Sequence, residues 1–121
     1  MSAQADRRER GVARLAELHD EPGGDAFIAR MGDLGDWIVD FVFGDVHARP
    51  ALPARERELI IIAVLTTIGS SDPQVQAHIR AARAIDVPFA EIEEAIIQTA
   101  PYAGFPRAIN ALKVLRAEEG R

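Results

Sequence analysis

Cysteine is absent from the 121 residues. That absence excludes disulfide scaffolds, thiolate zinc sites, iron–sulfur clusters, redox CxxC motifs and cysteine nucleophiles. Lysine is nearly absent: of 14 basic residues, only Lys113 is not arginine. Basic excess is missing too, since the net charge is −5 and the isoelectric point is near 5.1. A general electrostatic grip on nucleic acid or anionic lipid is therefore not expected. Long apolar runs are lacking as well. The longest, Leu59–Leu65, extends to Ile68 only through Thr66 and Thr67, far short of the roughly 20 residues of a membrane span. The opening residues MSAQADRRER lead into no apolar segment, so no secretory signal is expected and the reading is cytoplasmic.

What is present is a chain 48% hydrophobic and 27% charged, the balance of a single globular domain covering residues 1–121. Its periodicity is helical throughout, and the expectation is an all-α fold of six to seven helices. Residues 4–19 carry a moderate stripe at Val12, Leu15, Ala16 and His19, weakened by Gly11, and residues 1–24 read as a helical arm. Glu21-Pro22-Gly23-Gly24 is a breaker, after which Asp25 is placed to cap a short helix at 26–31. Leu34, Trp37, Ile38, Phe41 and Val42 then form an apolar stripe, with Asp36 and Asp40 opposite and Gly44 expected as the residue just past the helix end.

Residues 45–52 have no period and read as a loop. Pro53 opens a helix of about 16 residues whose LIIIAVL run is apolar on all sides, so it must be central or be covered by a second subunit. Ser71 and Gln74 have the form of a capping box. The helix they open directs Val75, His78, Ile79, Ala82 and Ile85 to one face. Two further helices begin at Pro88 and Pro106, with inward stripes of Ile92, Ala95, Ile96 and Thr99, and of Ile109, Leu112 and Leu115.

Chemistry has few places to reside. The three histidines are His19, His47 and His78. His19 ends the first helix and suits a C-terminal cap; His47 lies beside Arg49 in the aperiodic loop; His78 shares a half-apolar face. Without an HxxxH or HExxH motif or clustered carboxylates, no metal site is expected. Neither GxSxG, a P-loop nor GxGxxG occurs. Glu58 stands where the charged lead-in Arg55-Glu56-Arg57 becomes LIIIAVL. It is open to an i,i+3 ion pair with Arg55 or to partial desolvation of the kind that tunes acid–base groups.

These residues fall into blocks that resemble the carboxymuconolactone decarboxylase family, which has an AhpD-like fold. Phe43-Gly44-Asp45-Val46-His47-Ala48-Arg49-Pro50-Ala51-Leu52 is similar to its FxxGxxxxRPxL segment. Arg55-x-Arg57-x-Leu59 before an apolar helix is similar to the next. His78-Ile79-Arg80-Ala81-Ala82 resembles its HVRGAL element. Glu91-Ile92-x-Glu94-x-Ile96-x-Gln98-x-x-x-Tyr102-x-Gly104-x-Pro106, followed by Asn110-Ala111, resembles EIxExxxQxxxYxGxP. The match runs over about residues 34–116, within a family core of 34–118, and the blocks keep the family's order.

The resemblance implies a helical subunit in a homo-oligomer, trimeric or hexameric in many relatives, acting on a small molecule. One family branch is a thiol peroxidase that uses an upstream Glu, a CxxC pair and a His four residues after the second Cys. Counting back from His78, those cysteine positions are Gln74 and Ser71, so thiol chemistry is excluded although Glu58 and His78 remain. The other branch is a cofactor-free decarboxylase. Its substrate, a carboxylated muconolactone, expels CO2 through its own ring into an enolate that an acid then protonates. Carried onto this chain, His78 would move the proton, Glu58 would orient it, and His47 would close the site. Arg49, Arg80 and Tyr102 would contact substrate, and no cofactor is implied. Departures from the pattern matter here: where the decarboxylases show RTRSL this chain has Arg55-Glu56-Arg57-Glu58-Leu59, with Glu58 in place of Ser, and His47 stands where they often carry Trp. A related reaction of a small lactone or carbonyl compound therefore also fits, and a non-catalytic ligand-binding member of the fold is the alternative.

Overall fold

The computed structural model describes residues 2–19 and 24–121, without the side chains of residues 24–26. Every regular element in that range is helical: α1 (Ala3–Leu18), α2 (Gly24–Arg30), α3 (Asp33–Trp37), a π-helical segment π1 (Ile38–His47), α4 (Ala54–Ile68), α5 (Asp72–Ala84), α6 (Phe89–Ala103) and α7 (Phe105–Glu119). The all-α expectation is met. The breaker at 21–23 lies outside the described residues, as does the side chain of Asp25. The described chain forms two compact units, residues 1–54 and 55–121.

In the first unit α1 packs on π1. The Ser2 hydroxyl accepts from Ala5 N–H and caps α1, while His19 stands at its C-cap. Burial on α1 falls on Gly11, Leu15 and Leu18, and Val12 is half exposed. Gly11, expected only to weaken the helix, is instead required. A Cβ there would collide with the Val39 carbonyl, and a Cβ on Gly44 would collide with the Arg7 carbonyl. Two glycines thus let two helices approach backbone to backbone.

Residues 34–47 depart most from expectation. The helix does not stop at Gly44 but continues to His47 in wide-turn form, with Ala48 N–H donating to the Phe43 carbonyl five residues back. Its buried face is Val39, Asp40, Phe43, Gly44 and His47. Leu34, Trp37, Phe41 and Val42, expected in the core, are exposed, Trp37 by 63%. Charge pairing explains the reversal. Arg7 holds Asp45 through two parallel bonds of 3.1 and 2.6 Å, and Arg8 pairs with both Asp36 and Asp40. Gln4 also donates to Asp40 at 2.9 Å. The aspartates face the arginine-rich arm, and the buried spacing of about four residues exceeds the 3.6 of an α-helix.

The second unit is built on Ile62, Val75, Ile79, Ala82, Val87, Ile92, Ile96, Ala108, Ala111 and Leu115. Helix α4 buries only one stripe, Glu58, Ile62 and Thr66, while Ile60, Val64 and Ile68 stay 50%, 50% and 62% exposed. The α5 start is not a capping box: Ser71 is the N-cap, but its hydroxyl donates to the Leu65 carbonyl at 3.0 Å and so closes the end of α4. Arg107 assists by donating to the Ile68 carbonyl at 2.6 Å. Its side chain passes where a Cβ on Gly69 would stand, and Gly69 has φ +77°. Helix α6 runs through Pro101 to Ala103, and α7 buries Ala108, Ala111, Leu115 and Glu118 while Ile109 is half exposed.

Candidate active site

The second unit unites two of the residues singled out by sequence. Glu58 sits one turn before Ile62 on the buried stripe of α4, and His78 lies on α5 between buried Val75 and Ile79. Glu58 Oε1 is 2.8 Å from His78 Nδ1. The carboxylate is fully buried, whereas the His78 side chain keeps 24% of its surface. The two groups share one proton across this bond, so Nδ1 is engaged by Glu58 and Nε2 is the ring's other nitrogen. Arg55 pairs with Glu56 at 3.0 Å and with Glu91.

The remaining candidates are placed differently. Arg80 Nε and Nη2 donate to the buried Glu118 carboxylate at 3.0 and 3.1 Å, and Gln76 and Arg121 donate to the same group. Burial pulls the Glu118 carboxyl upward, but the bonds from Arg80, Gln76 and Arg121 outweigh it and hold it below its ordinary value. The guanidinium of Arg80 therefore ties α5 to α7. Tyr102, expected as a substrate contact, is 88% exposed. Arg49 lies on the surface of the 48–53 connection, its N–H donating to the Val46 carbonyl.

His47 belongs to the first unit. It is not on a loop but at the end of π1, and it is 3% exposed. Arg14 contacts it twice, and the Phe43 ring lies 5.3 Å away centroid to centroid. Sequence reading missed Arg14 and Glu118. Both act across helices, and neither interrupts the local pattern of its own helix. Among the described residues no group of three or more His, Asp or Glu stands together as a metal site. No described helix is long and apolar enough to cross a membrane.

The family model for carboxymuconolactone decarboxylases matches residues 32–117, which include Glu58, His78, Arg80 and Tyr102. The chain belongs to the carboxymuconolactone decarboxylase family. One curated relative is the 4-carboxymuconolactone decarboxylase of Acinetobacter baylyi (strain ATCC 33305 / BD413 / ADP1), 37% identical over 87 residues, or 72% of this chain. The alignment spans 63% of that relative's length. Family membership makes a decarboxylase-like role the starting point for reading the Glu58–His78 pair.

Proposed function

We propose that the protein is a cofactor-independent decarboxylase acting on a small carboxylated lactone, with 4-carboxymuconolactone as the first candidate. The observation that carries this reading is the 2.8 Å bond between fully buried Glu58 and His78 Nδ1, with part of the His78 ring left accessible.

The chemistry needs little else. The substrate's carboxylate C–C bond breaks, CO2 leaves, and the bonding pair passes through the ring double bond to the lactone carbonyl. The resulting enolate is protonated at carbon by His78 Nε2–H, and solvent later restores that proton. Glu58 balances the charge of the ring while both nitrogens are protonated and holds the ring through Nδ1. A positioned acid of this kind supplies about 10²–10⁴-fold in rate. Homo-oligomerisation into a trimer or hexamer in the cytoplasm completes the reading, and the exposed Ile60, Val64 and Ile68 stripe of α4 supports it.

The test is incubation with 4-carboxymuconolactone while following its ultraviolet absorbance and CO2 release. Turnover that His78→Gln lowers by about 10²-fold or more supports the reading. Unchanged turnover in that variant removes the role of His78. Saturable binding without turnover favours a ligand-binding protein on the same fold.

A further inference from the structure

Helix α5 has a second side that the Glu58–His78 pair does not use. Each residue advances a helix by about 100°, so Asp72 and Gln76 share one side, and His78 lies about 120–160° around the helix from them. On the Asp72 side, α5 and α7 border a groove of about 440 Å³. That volume falls within the roughly 300–1,000 Å³ of small-molecule sites.

The α5 wall of the groove accepts hydrogen bonds. Gln76 Nε2 donates to Glu118 at 3.0 Å, and Arg80 and Arg121 hold that buried carboxylate ionised. An ionised carboxylate only accepts, so the amide nitrogen of Gln76 is the end that faces it. The amide's carbonyl oxygen is left over, one turn along α5 from the Asp72 carboxylate. The α7 wall donates. It carries Lys113, the one lysine of the chain, with Asn110 at neighbour spacing three residues before it. Val114 and Ala117 add apolar surface. Asp72 and Lys113 line the same groove, yet no ion pair joins them, and among the described residues neither has a charged partner. Arg55, Arg80, Arg116 and Arg121 of the same unit all meet carboxylates.

We propose that this groove is a binding site for a small zwitterion. The ligand's ammonium lies at Asp72 and the Gln76 carbonyl oxygen, its carboxylate at Lys113 and Asn110, and its short apolar body along Val114 and Ala117. A purely anionic molecule gains Lys113 but is repelled by Asp72, and a purely cationic one meets the reverse. Only a molecule carrying both charges satisfies both walls. The groove is separate from the Glu58–His78 pair, and the proposal does not rest on the decarboxylase reading. Asp72 and Lys113 are both exposed to water, so binding should be weak and should weaken further as ionic strength rises.

The test is a 1H–15N titration of the full chain with glycine, β-alanine and 4-aminobutyrate, which differ in the span between their charges. Butyrate and butylamine are the single-charge controls. Saturable shifts are expected in the amides of residues 72–77 and 110–117. At least one zwitterion should bind about 3-fold or more tightly than either control, the contribution of one exposed ion pair. Lys113→Gln and Asp72→Asn should each remove that advantage. If Asp72→Asn loosens the start of α5, Lys113→Gln decides. The proposal is overturned if no zwitterion gives saturable shifts, or if the shifts centre on other residues. It is equally overturned if the controls bind as tightly, or if the advantage survives in Lys113→Gln.

Discussion

Two histidines in two units carry opposite partners. His78 meets a buried carboxylate at Nδ1, whereas His47 meets a guanidinium at the same atom. Residue type therefore does not set what an imidazole can do; the charge of the group behind it does. A carboxylate behind the ring suits the far nitrogen to proton transfer. A guanidinium behind the ring claims the lone pair of the near nitrogen.

The units contrast in the same way. The second is organised by aliphatic burial around Ile62, Ile79 and Ile96, and the buried carboxylates of Glu58 and Glu118 are set into the same unit. The first is organised by arginine–aspartate pairs and a glycine crossing.

The contrast can be broken at several points. The largest effect is expected from Glu58→Gln, whose amide can no longer balance a charged His78 ring. Turnover of 4-carboxymuconolactone should fall by about 10²-fold or more, with helical content retained. Activity as high as wild type would make the pair structural.

Next is Gly11→Ala. The added methyl meets the Val39 backbone, which cannot yield as a flexible side chain would. Destabilisation of about 3 kcal/mol is expected, at the upper end of overpacking costs. It should appear in hydrogen exchange as loss of protection over residues 38–47, with the 72–84 and 89–103 helices keeping theirs. Uniform loss across both units would mean that their stabilities are not separable.

Arg80→Met removes a two-point contact to buried Glu118. Because Gln76 and Arg121 still donate to that carboxylate, a loss of about 1.5–2 kcal/mol at neutral pH is expected in urea unfolding. The sign with pH follows from the lowered Glu118 value. Its stabilisation is complete above the ordinary carboxylate range and disappears as pH falls through the lowered folded value. The gap between variant and wild type should therefore close on acidification, and a gap independent of pH would exclude the ion pair as its cause. The smallest effect belongs to Tyr102→Phe: with the ring 88% exposed, stability should change by less than about 0.5 kcal/mol. A change of KM for 4-carboxymuconolactone would support Tyr102 as a substrate contact.

Much of this was legible in the sequence, element by element. The stripes Ile92–Ile96–Thr99 and Val75–Ile79–Ala82 lie where 3.6 periodicity puts them, because a helix buried on one face must repeat that face. The conjunction of Glu58 with His78 was legible through family resemblance, not through spacing. Residues 34–47 were misread because a period measures which side chains are alike, not which face is covered. There the apolar side chains are exposed and the charged face is packed, since α1 brings arginines to it. Ser71 was misread for a similar reason. A hydroxyl before a helix has two backbone ends within reach, and here it closes the preceding one.

Composition and pattern by themselves determined that the chain is helical, that thiol chemistry is closed to it, and which ionisable groups it has to work with. Tertiary structure alone decided what stands behind each of those groups. A local pattern fixes the direction of a side chain relative to its own helix. The partner it meets lies 20 residues away for Glu58 and His78, 33 for Arg14 and His47, and 38 for Arg80 and Glu118. Those distances along the chain are bridged only by packing, and packing set a carboxylate behind one histidine and a guanidinium behind the other.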